Sequence, residues 1–212
     1  NPNGVVWYLT KFNNQLYFMY DDGVHGYELW TSDGTTEGTV LFQDIRPGSL
    51  GSQPEKFTEC NGLLFFYAST DIGSQRLYAT DGTIDGTQML GNQLSLPFSE
   101  TQHYIVLNDK IYFQGNSGSG YGMWTSDGTQ QGTVLVKLGL IGASGGTYAV
   151  MNNKFYFQSG DNTTGNELWV SDGTDAGTYM LKDINTISFG SDPDKFFSDG
   201  NLVYFQATDG IT

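Results

Sequence analysis

The tripeptide Asp-Gly-Thr occurs at Asp33, Asp81, Asp127 and Asp172, 48, 46 and 45 residues apart, each followed two residues later by Gly-Thr. A fixed period of that length marks stacked copies of one supersecondary unit, and this constrains the fold more than any other feature. The surrounding residues recur too. The first copy runs Leu16-Tyr17-Phe18, Gly26-Tyr27-Glu28-Leu29-Trp30, Ser32-Asp33-Gly34-Thr35 and Gly38-Thr39. The second keeps the frame with Leu64-Phe65-Phe66, Leu77-Tyr78 and Asp81-Gly82-Thr83, and the third with Ile111-Tyr112-Phe113, Met123-Trp124 and Asp127-Gly128-Thr129. The fourth has Phe155-Tyr156-Phe157, Glu167-Leu168-Trp169 and Asp172-Gly173-Thr174, and a fifth opens at Val203-Tyr204-Phe205. The whole chain reads as a single array, with units at about 9–56, 57–103, 104–147, 148–195 and a partial fifth at 196–212.

Within each unit, short runs of alternating apolar and polar residues are separated by turn chemistry, which predicts four β-strands. In the second unit they fall near 56–59, 63–68, 76–80 and 88–91. Asn13-Asn14, Asn61-Gly62, Asn108-Asp109, Asn152-Asn153 and Gly200-Asn201 read as two-residue hairpins, because these residues tolerate positive φ. Four antiparallel strands followed by a longer crossing, such as 44–54 or 183–193, form the meander of a propeller blade. The predicted fold is all-β: a β-propeller of four-stranded antiparallel blades, four complete and one partial, as a segment of a larger propeller. Trp30, Tyr78, Trp124 and Trp169 on third strands are expected to pack between neighbouring blades. The incomplete fifth unit is expected to continue into further repeats or to close with another chain.

The string Glu167-Leu168-Trp169-Val170-Ser171-Asp172-Gly173-Thr174, followed by Gly177-Thr178, closely resembles the bacterial ELWxxDGT repeat family across essentially the whole chain. The resemblance implies a secreted or surface-associated bacterial protein built from many such units, with no enzymatic activity intrinsic to the repeat. Arg76 and Gly122 stand where the first and fourth copies have Glu28 and Glu167, which argues against a role for that glutamate common to all blades.

Nine basic against twenty-three acidic residues give a net charge of −14, which repels nucleic acid phosphates and anionic lipid. The lone Cys60 excludes an intrachain disulfide framework, and no run has the length of a membrane span. Asn162 opens a glycosylation sequon.

The Asp-Gly-Thr residues (Asp33, Gly34, Thr35; Asp81, Gly82, Thr83; Asp127, Gly128, Thr129; Asp172, Gly173, Thr174) read as structural turns: Asp accepts nearby backbone N–H groups, while Gly34 and Gly38 take conformations a β-carbon disfavours. Binding is expected in the variable second connections, where Tyr27 and Tyr121 occupy equivalent places and, with Tyr148, present aromatic rings. Carboxylates at Asp21-Asp22, Asp192, Asp194, Glu37 and Asp85 leave calcium open as a ligand, without an EF-hand spacing. No other cofactor, catalytic residue or metal site is expected. His25 and His103 lack spaced zinc partners, and Gly142-Ala143-Ser144-Gly145-Gly146 lies in a crossing, not at the strand-to-helix turn a nucleophile elbow needs. The leading functional expectation is a non-enzymatic structural or interaction propeller at a bacterial cell surface, sheath or matrix, contacting protein or polysaccharide or assembling with itself. The alternatives are a carbohydrate-binding lectin and, behind it, a propeller-type glycoside hydrolase.

Overall fold

The structure, a computed structural model, describes residues 4–71, 74–91, 94–96, 104–141, 148–161, 163–187 and 190–211. His103, Asn162 and the 142–146 segment lie outside the described residues. Among those described are eighteen strands and no helix, hence none able to cross a membrane. The chain divides into two compact units, 1–96 and 97–212.

The first unit holds two four-stranded antiparallel sheets. One is β1 (Trp7–Phe12), β2 (Gln15–Asp21), β3 (Tyr27–Ser32) and β4 (Val40–Gln43); the other is β5 (Glu55–Cys60), β6 (Leu63–Asp71), β7 (Ser74–Thr80) and β8 (Gln88–Leu90). The second unit holds β9 (Ile105–Leu107), β10 (Lys110–Asn116), β11 (Tyr121–Ser126) and β12 (Val134–Leu138), then β13 (Tyr148–Met151), β14 (Lys154–Asp161), β15 (Gly165–Ser171) and β16 (Tyr179–Lys182). A fifth, two-stranded sheet pairs β17 (Asp194–Ser198) with β18 (Val203–Gln206). Every sheet follows chain order, so each sequence repeat is one meander. β1 begins at Trp7 and β5 at Glu55, slightly ahead of the unit boundaries expected from the sequence.

The first hairpins are two-residue loops in four repeats, with both loop residues at positive φ: 47° and 61° at Asn13-Asn14, 51° and 75° at Asn61-Gly62. The fifth departs from that expectation. Ser198 pairs with Val203, only Gly200 has positive φ, and the Asp199 carboxylate caps Asn201 N and Leu202 N in a four-residue loop. Asp199 supplies the side-chain oxygen that lets the longer turn form.

Strand alternation gives each sheet two apolar faces. In the first unit, Tyr17 and Leu29 on β2 and β3 meet Leu64, Phe66, Ala68 and Tyr78 on β6 and β7. In the second, Ile105, Tyr112 and Met123 meet Phe155, Phe157 and Trp169, and then Ala149, Leu168 and Tyr156 meet Phe196, Val203 and Phe205. The register repeats from one sheet pair to the next. The middle residue of the second-strand triplet faces the following sheet, and the third residue faces the preceding one. Tyr78 and Trp169 thus lie between sheets, at 7% and 6% exposure.

Candidate functional site

The four Asp-Gly-Thr turns are internally bonded in one pattern. Asp33 Oδ1 accepts Thr35 N at 2.9 Å and Thr35 Oγ1 at 2.7 Å; Thr35 Oγ1 in turn accepts Gly38 N at 2.9 Å. Thr39 Oγ1 donates to Thr35 O, and Ser32 Oγ accepts Gly34 N while bonding the Thr39 hydroxyl. Equivalent bonds recur at Asp81, Asp127 and Asp172, with Thr80, Ser126 and Ser171 in the place of Ser32. The Thr hydroxyl bonds, helped by the backbone N–H, hold all four aspartates below the usual carboxylate range. These oxygens are committed to their own turns.

The glycines have two different reasons. Gly34, Gly82, Gly128 and Gly173 take φ of 92°, 98°, 91° and 90°, which disfavours any β-carbon. Gly38 does not, contrary to the expectation from sequence. Its requirement is steric: a Cβ on Gly38, Gly86, Gly132 or Gly177 would collide with the carboxylate of the aspartate five residues earlier.

The turns also meet the preceding repeat. A Cβ on Gly82 would lie 3.3 Å from Tyr17 Oη, and one on Gly173 would collide with the Tyr112 hydroxyl. Asn13 Nδ2 donates to Asp81 O at 3.0 Å. The glycine is therefore a seat for the tyrosine of the sheet before it. Sequence inspection passed over this pairing, although the recurrence of Tyr17, Tyr112, Tyr156 and Tyr204 at one frame position was its trace.

Two buried glutamates form a second repeated device. Glu28, fully buried, accepts Ile45 N at 3.1 Å, Arg46 N at 3.0 Å and Ser52 Oγ at 2.5 Å, pinning the crossing that leaves β4 onto β3. Glu167 does the same with Ile184 N, Asn185 N and Ser191 Oγ. Burial raises the Glu28 pKa, against the opposing pull of these donors. In the second repeat the polarity inverts: Arg76 Nη1 donates to Leu94 O at 2.8 Å. In the third, Gly122 carries no side chain, and Gln114 Nε2 on the neighbouring strand donates to Leu140 O.

Tyr27 and Tyr121 open β3 and β11 instead of lying in the preceding loops, and they belong to separate units. Tyr27 is half-buried, with Gln53 N donating to its carbonyl; Tyr121 is 43% exposed. Tyr148, expected to be exposed, is half-buried against the core between the third and fourth sheets. The second connections are tied by their own acids. Asp22 accepts Val24 N, His25 N and the His25 ring; burial works against these bonds, and they still bring its pKa to about 2. Asp161 is brought to about 2 by the Thr163 hydroxyl first, despite burial, and by Thr164 and the two backbone N–H groups. The Asp22 hydrogen bond raises the His25 pKa.

Among the described residues no three His, Cys, Asp or Glu side chains converge as a metal cage. Asp44 and Asp183, at the heads of the two glutamate-pinned crossings, each keep one buried oxygen without a protein partner. One such oxygen per crossing is far short of the six to eight that Ca²⁺ takes.

The remaining open feature in the first unit is a groove of about 570 Å³ lined by Val6, Phe18, Tyr20, Asp22, Trp30, Thr36 and Thr39. Tyr20 and Trp30 meet edge to face at 5.3 Å. The buried indole nitrogen of Trp30 has no partner, but neither has that of Trp169, which is packed between sheets. The orphan nitrogen thus belongs to the repeat and does not mark a ligand.

No family model and no curated protein matches the chain. Solved structures resemble it at low identity. A puromycin-hydrolyzing peptidase of Mycobacterium tuberculosis aligns with a TM-score of 0.56 and 11% identity, over 96% of this chain and 33% of that one. A puromycin hydrolase gives 0.55 and 14%, over 95% and 33%. TolB from Acinetobacter baumannii gives 0.50 and 13%, over 98% and 53%. The chain spans a third to a half of the length of these proteins. What it shares with them is the fold: an all-β array of four-stranded antiparallel sheets, similar to propeller-like structures.

Proposed function

We propose that this chain is a non-enzymatic structural and interaction segment of a β-propeller, belonging to a protein of a bacterial cell surface, sheath or matrix and of the ELWxxDGT repeat type. One observation carries the reading: the repeated acids are spent on the chain's own backbone, in the turns, the second connections and the crossings. What the repeats leave available is sheet face and loop surface, which suits contact with macromolecules. The acidic surface favours protein or neutral polysaccharide partners over phosphate-bearing ones.

The test is a panel of ester, peptide and glycoside substrates assayed beside binding to isolated bacterial envelope fractions. Saturable envelope binding without turnover supports the reading; turnover that purifies with the chain contradicts it. A second reading, a lectin, draws on the exposed ring of Tyr121. Saturable binding on a glycan array, lost in Tyr121→Ala and retained in Tyr27→Ala, would favour it.

A further inference from the structure

The sheet-to-sheet interface has two halves, and each is also found uncovered. The first half is the tyrosine face. Tyr17 and Tyr112 are 2% and 4% exposed beneath the following sheets, whereas Tyr204, at the same frame position, is 49% exposed. Beside it Phe197, 62% exposed, pairs with Tyr204 in register and stacks on its ring at 6.3 Å. The opposite face of β17–β18 is occupied, with Phe196, Val203 and Phe205 packed against the fourth sheet.

The second half is the receiving face. Leu64, Phe66 and Tyr78, or Phe155, Phe157 and Trp169, receive a tyrosine face in the second and fourth sheets. Their counterparts in the first sheet are Leu16, Phe18 and Trp30. Trp30 is only half-buried and borders the 570 Å³ groove with Val6, which is 47% exposed. The turn beside it is equally bare. Gly82 and Gly173 carry the tyrosines of the preceding sheets, while a Cβ on Gly34 would meet open space.

We propose that two copies of this chain associate head to tail, the Phe197–Tyr204 face of one seating on the Leu16–Phe18–Trp30 face of the other, with Tyr204 over Gly34. The inference rests on the interaction-module reading above, and extends it by naming the partner as a second copy. The contact continues an interface the chain already builds within both of its units. Because the two halves differ, the association is heterologous and can propagate into rings or filaments. The −14 charge opposes it, so added salt strengthens it by screening.

Sedimentation velocity of the 212-residue chain over a range of concentrations, at about 0.1 and about 0.5 M salt, tests this. Concentration-dependent species beyond a dimer are expected, more so at high salt. Tyr204→Glu and Trp30→Glu should each sediment as monomers, and their equimolar mixture should form a dimer and stop, since one variant keeps only the receiving face and the other only the tyrosine face. Should Trp30→Glu disturb folding by circular dichroism, Val6→Glu in the groove replaces it. A wild-type monomer throughout, variants that assemble like wild type, or a mixture that stays monomeric would overturn the proposal. Monomeric wild type that still binds envelope fractions without turnover would defeat the self-association alone and leave the interaction reading standing.

Discussion

The turn at Asp33 and the turn at Asp172 have the same internal bonds, to within about 0.1 Å, yet only the second is roofed. Tyr112 rests on Gly173, and nothing described rests on Gly34. The difference separates two tasks that the tripeptide performs. Asp, Thr and the preceding Ser brace the turn locally, and do so with or without a neighbour. The glycine provides a flat seat that matters only when another sheet arrives. The crossings teach a parallel lesson, because Glu28 and Glu167 accept backbone N–H groups where Arg76 donates to a carbonyl. The crossing must be pinned to the third strand, and the sign of the pin follows whichever backbone group the crossing presents.

The contrast between roofed and open positions yields graded expectations. Tyr112→Ala should cost about 3–5 kcal/mol by denaturant unfolding, as for other buried aromatics, and Tyr204→Ala under about 1 kcal/mol when measured at concentrations where the chain is monomeric. Equal costs would erase the distinction. Glu167→Ala, which strands two backbone N–H groups and the Ser191 hydroxyl, should cost about 3 kcal/mol, and Arg76→Ala about 1 kcal/mol because a single bond is lost. Gly173→Ala should exceed Gly34→Ala by about 1 kcal/mol or more, since both bear the positive-φ strain but only the first also collides with a tyrosine.

The smallest effect concerns protons. His25, with its pKa raised by Asp22, contributes stability that is complete below about 6.5 and is lost as pH rises through its folded pKa. Asp22, lowered to about 2, contributes stability present above about 3.8 that is lost as pH falls toward 2. Titration of the His25 ring by NMR should give a value above 6.5 that drops in Asp22→Asn. An unchanged value would break the assigned pair.

Much of the architecture was legible because its determinants are local. Asn13-Asn14 and Asn152-Asn153 announce tight hairpins, and Leu63 to Asp71 alternates as a half-buried strand should. Asp33, Asp81, Asp127 and Asp172 revealed their turns for the same reason: donor and acceptor lie within a few residues. The tyrosine seat was not legible, since Tyr17 and Gly82 are brought together only by the stacking of two sheets. Glu28 was discounted because Arg76 and Gly122 replace it, and the reason they can is a backbone group some 17 residues along the chain. Gly38 was assigned the wrong cause, because a shortage of space beside Asp33 and a need for positive φ leave the same glycine in the sequence.

The central claim is that each repeat is held to the next by a tyrosine seated on the glycine of an Asp-Gly-Thr turn. A double-mutant cycle on Tyr112→Ala and Gly173→Ala, read by equilibrium unfolding, tests it most directly. Seating makes the two changes non-additive by about 0.5–3 kcal/mol, because removing the ring also removes the collision. Costs that simply add, to within about 0.3 kcal/mol, would contradict it.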